Sequence, residues 1–427
     1  MNDNPPTFLI VIGVILVLGI GIGVFFWRRR VGYIKSLTDR GWAFESSPTL
    51  AIANGLTVPP FGLGFDRSTD EHISGERHGV PFQVFEYKCQ VGRFRVAAMR
   101  LQLPLPELFL TTTGARPGAQ AAQQQSTGQW HVLSDDAEFA RAVQAGAGEP
   151  VTAFAQANGG IDLSIDGDQL VVLGAPKEAA ELERFLDAMV AIARALDPRA
   201  LDGFRRPEPE RWVGFYRRPH WQFRDRDDTL MSVVEVTQGG QNHRIVNVVS
   251  CEVGPLPFVA FKHHWQTTRT VTSTDSNGHT TTRTETDNHE ESIFDMSLGV
   301  PTPYLEVTGN RALGKWFGRG DRVESELAAF NDRFDVRSDV PKFASDVIHP
   351  RQIEYLMQVQ PIPFSMGGGR IRVAVPQHDL AVIDHTVAFM YGFLTRIPEF
   401  VWQDLGADAP DFDGDGRPGP TLYSSST

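Results

Sequence analysis

Residues 81–85 have the sequence PFQVF, and residues 257–261 have the sequence PFVAF. The same offset relates Ser74 to Ser250, which precede the two segments. Phenylalanine and valine in short runs bounded by proline and glycine are typical of β-strands. The recurrence therefore predicts that the chain contains two copies of one strand-rich unit.

Matches on either side of these segments extend the repeat. They share the residue types that fix packing and occur in the same order in both halves: Trp42 with Trp221, Met99 with Met296, and Phe139 with Phe343. The offset grows before Met296, where the second half contains an insertion from Gln266 to Glu290. We interpret the halves as duplicated units, each of domain size.

The insertion is rich in threonine and has Asn277 and Gly278 at its centre. Threonine favours strands, and Asn-Gly favours a two-residue hairpin turn. These residues predict a long polar hairpin, and a polar loop without regular structure is the alternative that the sequence leaves open.

Each half ends in a helical pattern. Apolar residues recur at helical spacing from Leu182 to Leu196 before Pro198, and from Leu380 to Ile397 before Pro398. Each apolar stripe is expected to cover the antiparallel sheet of its own unit. The expected fold class is therefore α+β, with each sheet closed by a C-terminal helix, and a roll like that of pleckstrin-homology domains is one candidate.

The N-terminal region differs from the rest of the chain. An unbroken apolar run begins at Phe8 and ends at Trp27, and about 20 apolar residues are enough to cross a bilayer as a helix. Residues 28–30 are all arginine, and no lysine or arginine precedes the run. The positive-inside rule then places the C-terminal side in the cytoplasm. Gly19 and Gly23 have the spacing of a helix-dimer motif, although glycine is common in membrane helices in any case.

These patterns predict a linear organisation. It consists of a short tail (1–7), a transmembrane helix (8–27), a first repeat (31–198), a linker (199–211), a second repeat (212–406) with its insertion (266–290), and a disordered tail (407–427).

Composition narrows the class of protein. The net charge of -12 argues against a nucleic-acid partner, because phosphates need a basic surface.

The pattern Asp411-x-Asp413-x-Asp415 resembles the start of a calcium loop, but Leu422 stands where such a loop needs glutamate. His263 and His264 are neighbours on a predicted strand and so face opposite sides. We therefore predict no catalytic, cofactor-binding or metal-binding residues, and an enzyme is the less favoured class.

One segment resembles a known family. Residues 330–339, FNDRFDVRSD, together with the strand at 79–85 and the Leu-Pro-x-Pro bend at 103–106, are similar to a bacterial family of membrane-anchored proteins known only as a domain of unknown function. The Phe-Asn part of the motif occurs only in the second half. The resemblance implies a membrane anchor and a shared fold, and it implies no activity.

The expected function is that of a membrane-tethered binding or scaffold protein at the cytoplasmic face. Its candidate contacts are the membrane, through the run from Phe8 to Trp27, and a protein partner, through the hairpin from Thr267 to Asp287. A lipid-sensing module and a hydrolase with a dispersed active site are the alternatives. Two tests discriminate between them: a basic pocket near the membrane, and a pocket with convergent titratable groups.

Overall fold

The computed structural model describes residues 5–114, 123–126, 129–234, 238–274, 280–309, 320–359 and 362–412. Of residues 5–18, 123–126 and 274, only the backbone is described. The chain divides into two units. Unit 1 comprises Met1–Leu63 and Arg67–Tyr216, and unit 2 comprises Gly64–Asp66 and Arg217–Thr427.

The described residues of unit 1 form one sheet with helices around it. The strands are β1 (Ala43–Glu45), β2 (Ser68–Arg77), β3 (Val80–Cys89), β4 (Gly92–Thr111), β5 (Gln123–Ser126), β6 (His131–Ser134) and β7 (Asp162–Leu173). The helices are α1 (Pro5–Thr38), α2 (Ala137–Asn158), α3 (Ala179–Ala195) and α4 (Pro198–Leu201), with short 3-10 turns at Leu50–Ala53 and Asp202–Phe204.

The sheet of unit 1 is antiparallel and is covered on both faces. Its order is β1-β2-β3-β4-β6-β5, and β7 pairs along the other edge of β4. The larger core lies on the face that α2 and α3 cover and includes Val84, Met99, Phe139, Leu182 and Met189. A smaller cluster on the other face includes Ala53, Leu56, Phe61, Phe85 and Tyr87.

The Leu-Pro-x-Pro bend at 103–106 lies inside a strand of unit 1 and does not end it. β4 continues through Pro104 and Pro106. Its register with β7 shifts on either side of Leu105, so both prolines lie where the ladder is interrupted. Proline cannot donate a ladder hydrogen bond, and a bulge removes the need for one.

Unit 2 has a second antiparallel sheet. Its strands are β8 (Gln222–Arg226), β9 (Gln241–Val253), β10 (Leu256–Thr274), β11 (Thr280–Ser297), β12 (Leu305–Gly309), β13 (Asp321–Arg322), β14 (Phe334–Ser338), β15 (Phe364–Gly367) and β16 (Arg370–Val375). Its helices are α5 (Leu230–Val233), α6 (Ala328–Asn331), α7 (Pro341–Val347), α8 (Pro350–Gln358), α9 (Leu380–Leu394) and α10 (Glu399–Asp404). The described strands follow the order β13-β14-β12-β15-β16-β11-β10-β9-β8.

The glycine triplet at 367–369 forms a hairpin turn. Gly367 pairs with Arg370, and Gly368 and Gly369 between them have φ values of 60° and 86°. Positive φ at both central residues is the geometry that glycine adopts without strain. The triplet therefore joins β15 to β16.

The two sheets share their register at the positions that the repeat singled out. Phe82 lies opposite Met99 in unit 1, and Phe258 lies opposite Met296 in unit 2. All four side chains are at most 5% exposed. The duplication itself stays a prediction, and this recurring register is the observation that supports it.

The α+β fold class is confirmed, with two antiparallel sheets and helices in both units. Some details differ from expectation. Trp221 is only half-buried, whereas Trp42 is 4% exposed. The segment predicted as a linker, 199–211, begins inside α4. Its Leu201 is buried in the main core of unit 1, so this part of the segment belongs to the folded unit.

Parts of both predicted tails lie outside the described residues, namely 1–4 and 413–427. Residues 5–7 belong to α1. The similarity to a pleckstrin-homology roll stays a prediction.

Candidate functional site

The N-terminal helix carries exposed apolar side chains. Phe25, Phe26 and Trp27 in α1 are 61%, 60% and 64% exposed, and arginines follow at 28–30. A contiguous exposed apolar patch beside basic residues is typical of a surface that contacts lipid or another protein.

No helix within the described residues is long and apolar enough to cross a membrane. The span predicted from Phe8 to Trp27 lies partly outside the described side chains, which begin at residue 19.

The last turns of α1 are part of unit 1. Leu37 is fully buried in its main core. The Tyr33 ring lies 6.2 Å from the Phe44 ring, and just after the helix Arg40 Nε donates to Glu183 Oε2 at 2.9 Å. The exposed apolar part of the helix is therefore attached to a folded domain through packed side chains.

The glycine pair proposed for helix dimerisation lies in the open part of α1. A Cβ placed on Gly19 or Gly23 meets no described atom within 4 Å. This geometry leaves room for close approach of a second helix, and dimerisation itself stays a prediction.

The described residues of the threonine-rich insertion lie in two paired strands, as the hairpin interpretation predicts. β10 and β11 pair continuously from Phe258 opposite Met296 to Thr274 opposite Thr280. The predicted turn residues Asn277 and Gly278 lie outside the described residues. The high strand propensity of threonine accounts for the regular pairing of a segment with little apolar surface.

The hairpin has two chemically different faces, because side chains alternate along a strand. One face consists of cross-strand threonine pairs, namely Thr268 with Thr286, Thr270 with Thr284, and Thr272 with Thr282. All six of these side chains are exposed. The opposite face is charged: Arg269 binds Glu285 at 2.9 Å and Arg283 binds Glu285 at 2.5 Å.

Both outer edges of the hairpin extend beyond the neighbouring strands. β9 pairs with β10 only as far as Gln266, and β16 pairs with β11 only as far as Ser292. In the described part of the chain, no further strand pairs with the outer edge of β11 between Thr281 and Glu291. Such an edge presents backbone N–H and C=O groups that another strand can bind.

Stacked rings occupy the base of the charged face. His263 is fully buried, with its ring centroid 5.2 Å from that of His243 and 4.8 Å from that of Trp265. His243 Nδ1 lies 3.0 Å from His263 Nε2, and His263 Nδ1 lies 3.3 Å from Glu291 Oε1. The rings fix the hairpin base to β9. Sequence reasoning placed His263 and His264 on opposite faces but could not identify His243 as the stacking partner.

No metal centre is formed by these groups as far as the described residues extend, since no three His, Cys, Asp or Glu side chains there are arranged to hold an ion. The histidines lie side by side in a hydrogen-bonded row instead of converging on one point.

Unit 1 contains a buried acid that sequence reasoning did not single out. Asp166 Oδ2 accepts hydrogen bonds from the backbone N–H groups of Thr57 and Val58 at 2.7 and 2.8 Å. Asp166 is 4% exposed, and burial raises its pKa to about 7. The partners are more than a hundred residues away in sequence, so no local signal marks this site.

Unit 2 has a buried ion cluster where unit 1 is apolar. Asp295 is fully buried and accepts from Arg370 Nε at 2.6 Å and Arg372 Nε at 3.1 Å. Asp295 lies opposite Arg372, and the predicted repeat aligns this pair with Ala98 opposite Val171 in unit 1. A buried carboxylate needs such partners, because an unpaired buried charge is strongly destabilising.

Comparisons with known proteins give little further information. No family model matches the chain, and no curated protein matches it. Among solved structures, part of the chain is similar to the mycobacterial trehalose monomycolate transport factor A, TtfA. That match has 15% identity and a TM-score of 0.31, and it covers 38% of this chain and 92% of the other. A likeness at this TM-score carries no argument about fold or function.

Proposed function

We propose that the protein is a membrane-tethered binding or scaffold protein with its two folded units on the cytoplasmic side. The anchor is the apolar run from Phe8 to Trp27, and the hairpin from Thr267 to Asp287 is the contact element. The observation that carries the proposal is the exposed apolar part of α1, which ends in Trp27 and three arginines while Leu37 is buried in unit 1.

The chemistry of α1 supports anchoring. Apolar side chains exposed along a helix are stable in hydrocarbon, and tryptophan and arginine at one end suit the interface with lipid headgroups. The resemblance to a bacterial membrane-anchored family agrees with this proposal. The hairpin supports a binding role because it extends past the neighbouring strands, exposes two polar faces, and has two outer edges that no described strand covers.

We predict that the full chain remains in the membrane pellet after alkaline carbonate extraction, and that a variant lacking residues 1–30 becomes soluble. The apolar run supplies the insertion energy, since each leucine, isoleucine or valine favours the bilayer.

A C-terminal reporter should be active on the cytoplasmic side. Replacing the arginines at 28–30 with glutamine should lower the cytoplasmic fraction. Extraction of the full chain by carbonate would contradict the anchor, and a reporter active only outside would contradict the orientation.

We also predict that the hairpin is dispensable for folding. Gln266 and Asn288 lie directly opposite each other, so a two-residue Asn-Gly turn can replace the segment from Thr267 to Asp287. The melting temperature should change by less than about 4 °C, which corresponds to about 1 kcal/mol for a domain of this size. Affinity capture from intact membranes should lose proteins that the full chain retains.

The control for this deletion is a variant that keeps the hairpin but removes charge from it, Arg269→Gln, which should fold and capture normally if the strands themselves form the contact. A large fall in melting temperature after the deletion would show that the hairpin belongs to the core. An unchanged set of captured proteins, with an untagged second copy of the same chain counted among them, would show that it is not a contact element.

A further inference from the structure

We infer that the partner of the hairpin is a second copy of the same hairpin, joined edge to edge along β11 in an antiparallel pair centred on Thr284. This inference rests on the proposed function, since it names the partner of the contact element proposed above. Its evidence is the open edge of β11, the position of the charged residues along it and the end of the neighbouring strand.

Among the described strands, none covers this edge once the adjacent strand has ended. β16 pairs with β11 up to Val375 opposite Ser292, and residue 376 is proline. Proline has no N–H to continue the ladder. Beyond this point β11 runs from Glu291 to Thr281 without another described strand on that side. A strand from a second molecule can therefore continue the sheet where β16 ends.

The charges along β11 select one register. When Thr284 lies opposite Thr284 of the second copy, Arg283 lies opposite Glu285 of that copy, and the symmetry repeats this pair. Opposite charges at directly facing positions stabilise an antiparallel pair. Centring the pair on Arg283 or on Glu285 places identical charges opposite each other, which is destabilising.

The same register extends the two faces of the hairpin. Thr282 lies opposite Thr286 of the second copy, so the threonine face of one hairpin continues into that of the other. A slip of one residue in either direction would place Thr284 opposite Arg283 or Glu285 of the second copy, because alternate side chains face opposite sides. The sequence of the edge is thus self-complementary in charge and in face.

An edge contact of this length buries little surface compared with a stable dimer in solution. Tethering both copies to one membrane raises their effective concentration, which compensates for a weak contact. The pairing is therefore expected in membranes and not in dilute detergent solution, and the test has to use membrane-bound full-length protein.

Cysteine crosslinking measures the register directly. In Thr284→Cys, the two cysteines lie opposite each other across the symmetry axis with Cα atoms about 5 Å apart, which a disulfide can bridge. In the control Thr282→Cys, the equivalent cysteines are offset by four residues, about 13 Å, and cannot be bridged. The native Cys89 and Cys251 are buried, and burial raises the pKa of both thiols, so they add no background.

We expect Thr284→Cys to form a disulfide-linked dimer when isolated membranes are treated with an oxidant, seen as a dimer band on a non-reducing gel. Thr282→Cys should not form this dimer. Adding Arg283→Glu to Thr284→Cys should lower the crosslinked fraction roughly tenfold, because two cross-strand charge pairs become repulsive. Glu285→Arg should do the same. Coexpressing the two charge variants should restore the dimer, since each then faces an opposite charge in the other. Unchanged circular dichroism of each variant shows that folding is intact.

Equal crosslinking at positions 282 and 284, or none at either, would overturn the proposed pairing. If crosslinking is absent while the hairpin deletion still loses a captured protein of different sequence, the contact element stands and its partner is another protein. If crosslinking is absent and the deletion loses nothing, both the pairing and the contact element are wrong.

Discussion

Replacing Phe258 with alanine is expected to lower the free energy of unfolding of unit 2 by about 3–5 kcal/mol, the range for a buried phenylalanine. Phe258 is 2% exposed and lies opposite Met296, which is fully buried. Removing the ring leaves a cavity on one face of the sheet, and because β10 is paired on both edges, the backbone cannot move to fill the cavity without losing register.

The measurement should report unit 2 alone, since two units need not unfold together. Hydrogen exchange of the β10 amides gives that local free energy. The matched control is Phe400→Ala in α10, because Phe400 is 48% exposed and its removal should cost less than about 1 kcal/mol. A loss below that value for Phe258→Ala would show that the packing inferred from the repeat is wrong.

The apolar residues that recur in the two halves were the strongest guide to which side chains are buried. Apolar residues that recur in both halves, such as Phe82 with Phe258, mark positions where side chains pack, and the structure places them in equivalent registers. The helices before Pro198 and Pro398 follow from their apolar spacing, and α3 and α9 occupy these positions. Local patterns could therefore predict the element types and much of the core.

Positions that depend on distant partners could not be predicted in this way. The bend at Pro104 reads as a strand end, and only the pairing of β4 with β7 shows that a bulge accommodates it. Trp221 matches Trp42 in sequence yet is less buried. The stack at His263 depends on the register between β9 and β10, which a single sequence does not give.

The second large effect is the change in the stability of unit 1 with pH. The pKa of Asp166 is raised by burial from its ordinary value of 3.8 to about 7. Between these values the folded chain holds a proton on this carboxyl that the unfolded chain has lost. Stability contributed by the group is therefore present at low pH and falls as pH rises through this window. The change is up to about 4 kcal/mol across the whole window.

We expect Asp166→Asn to remove this dependence from the unfolding free energy of unit 1, measured by hydrogen exchange of β7 amides at several pH values between about 4 and 8. The amide oxygen still accepts one of the N–H groups of Thr57 and Val58, so the cost of the substitution itself should be nearly constant with pH. The wild type should be the more stable protein at the acidic end, and its advantage should shrink or reverse above neutral pH.

The difference in unfolding free energy between wild type and Asp166→Asn is the quantity that tests the prediction, because other groups also titrate in this range. Burial lowers the pKa of His72, which removes stability as pH falls and so opposes the effect of Asp166. Subtracting the Asp166→Asn curve cancels that contribution. Asp168→Asn, on the same strand and paired with the exposed Arg100, controls for loss of a carboxylate in general. A pH-independent difference between wild type and Asp166→Asn would show that the buried carboxyl is ionised throughout, held so by the two backbone N–H donors.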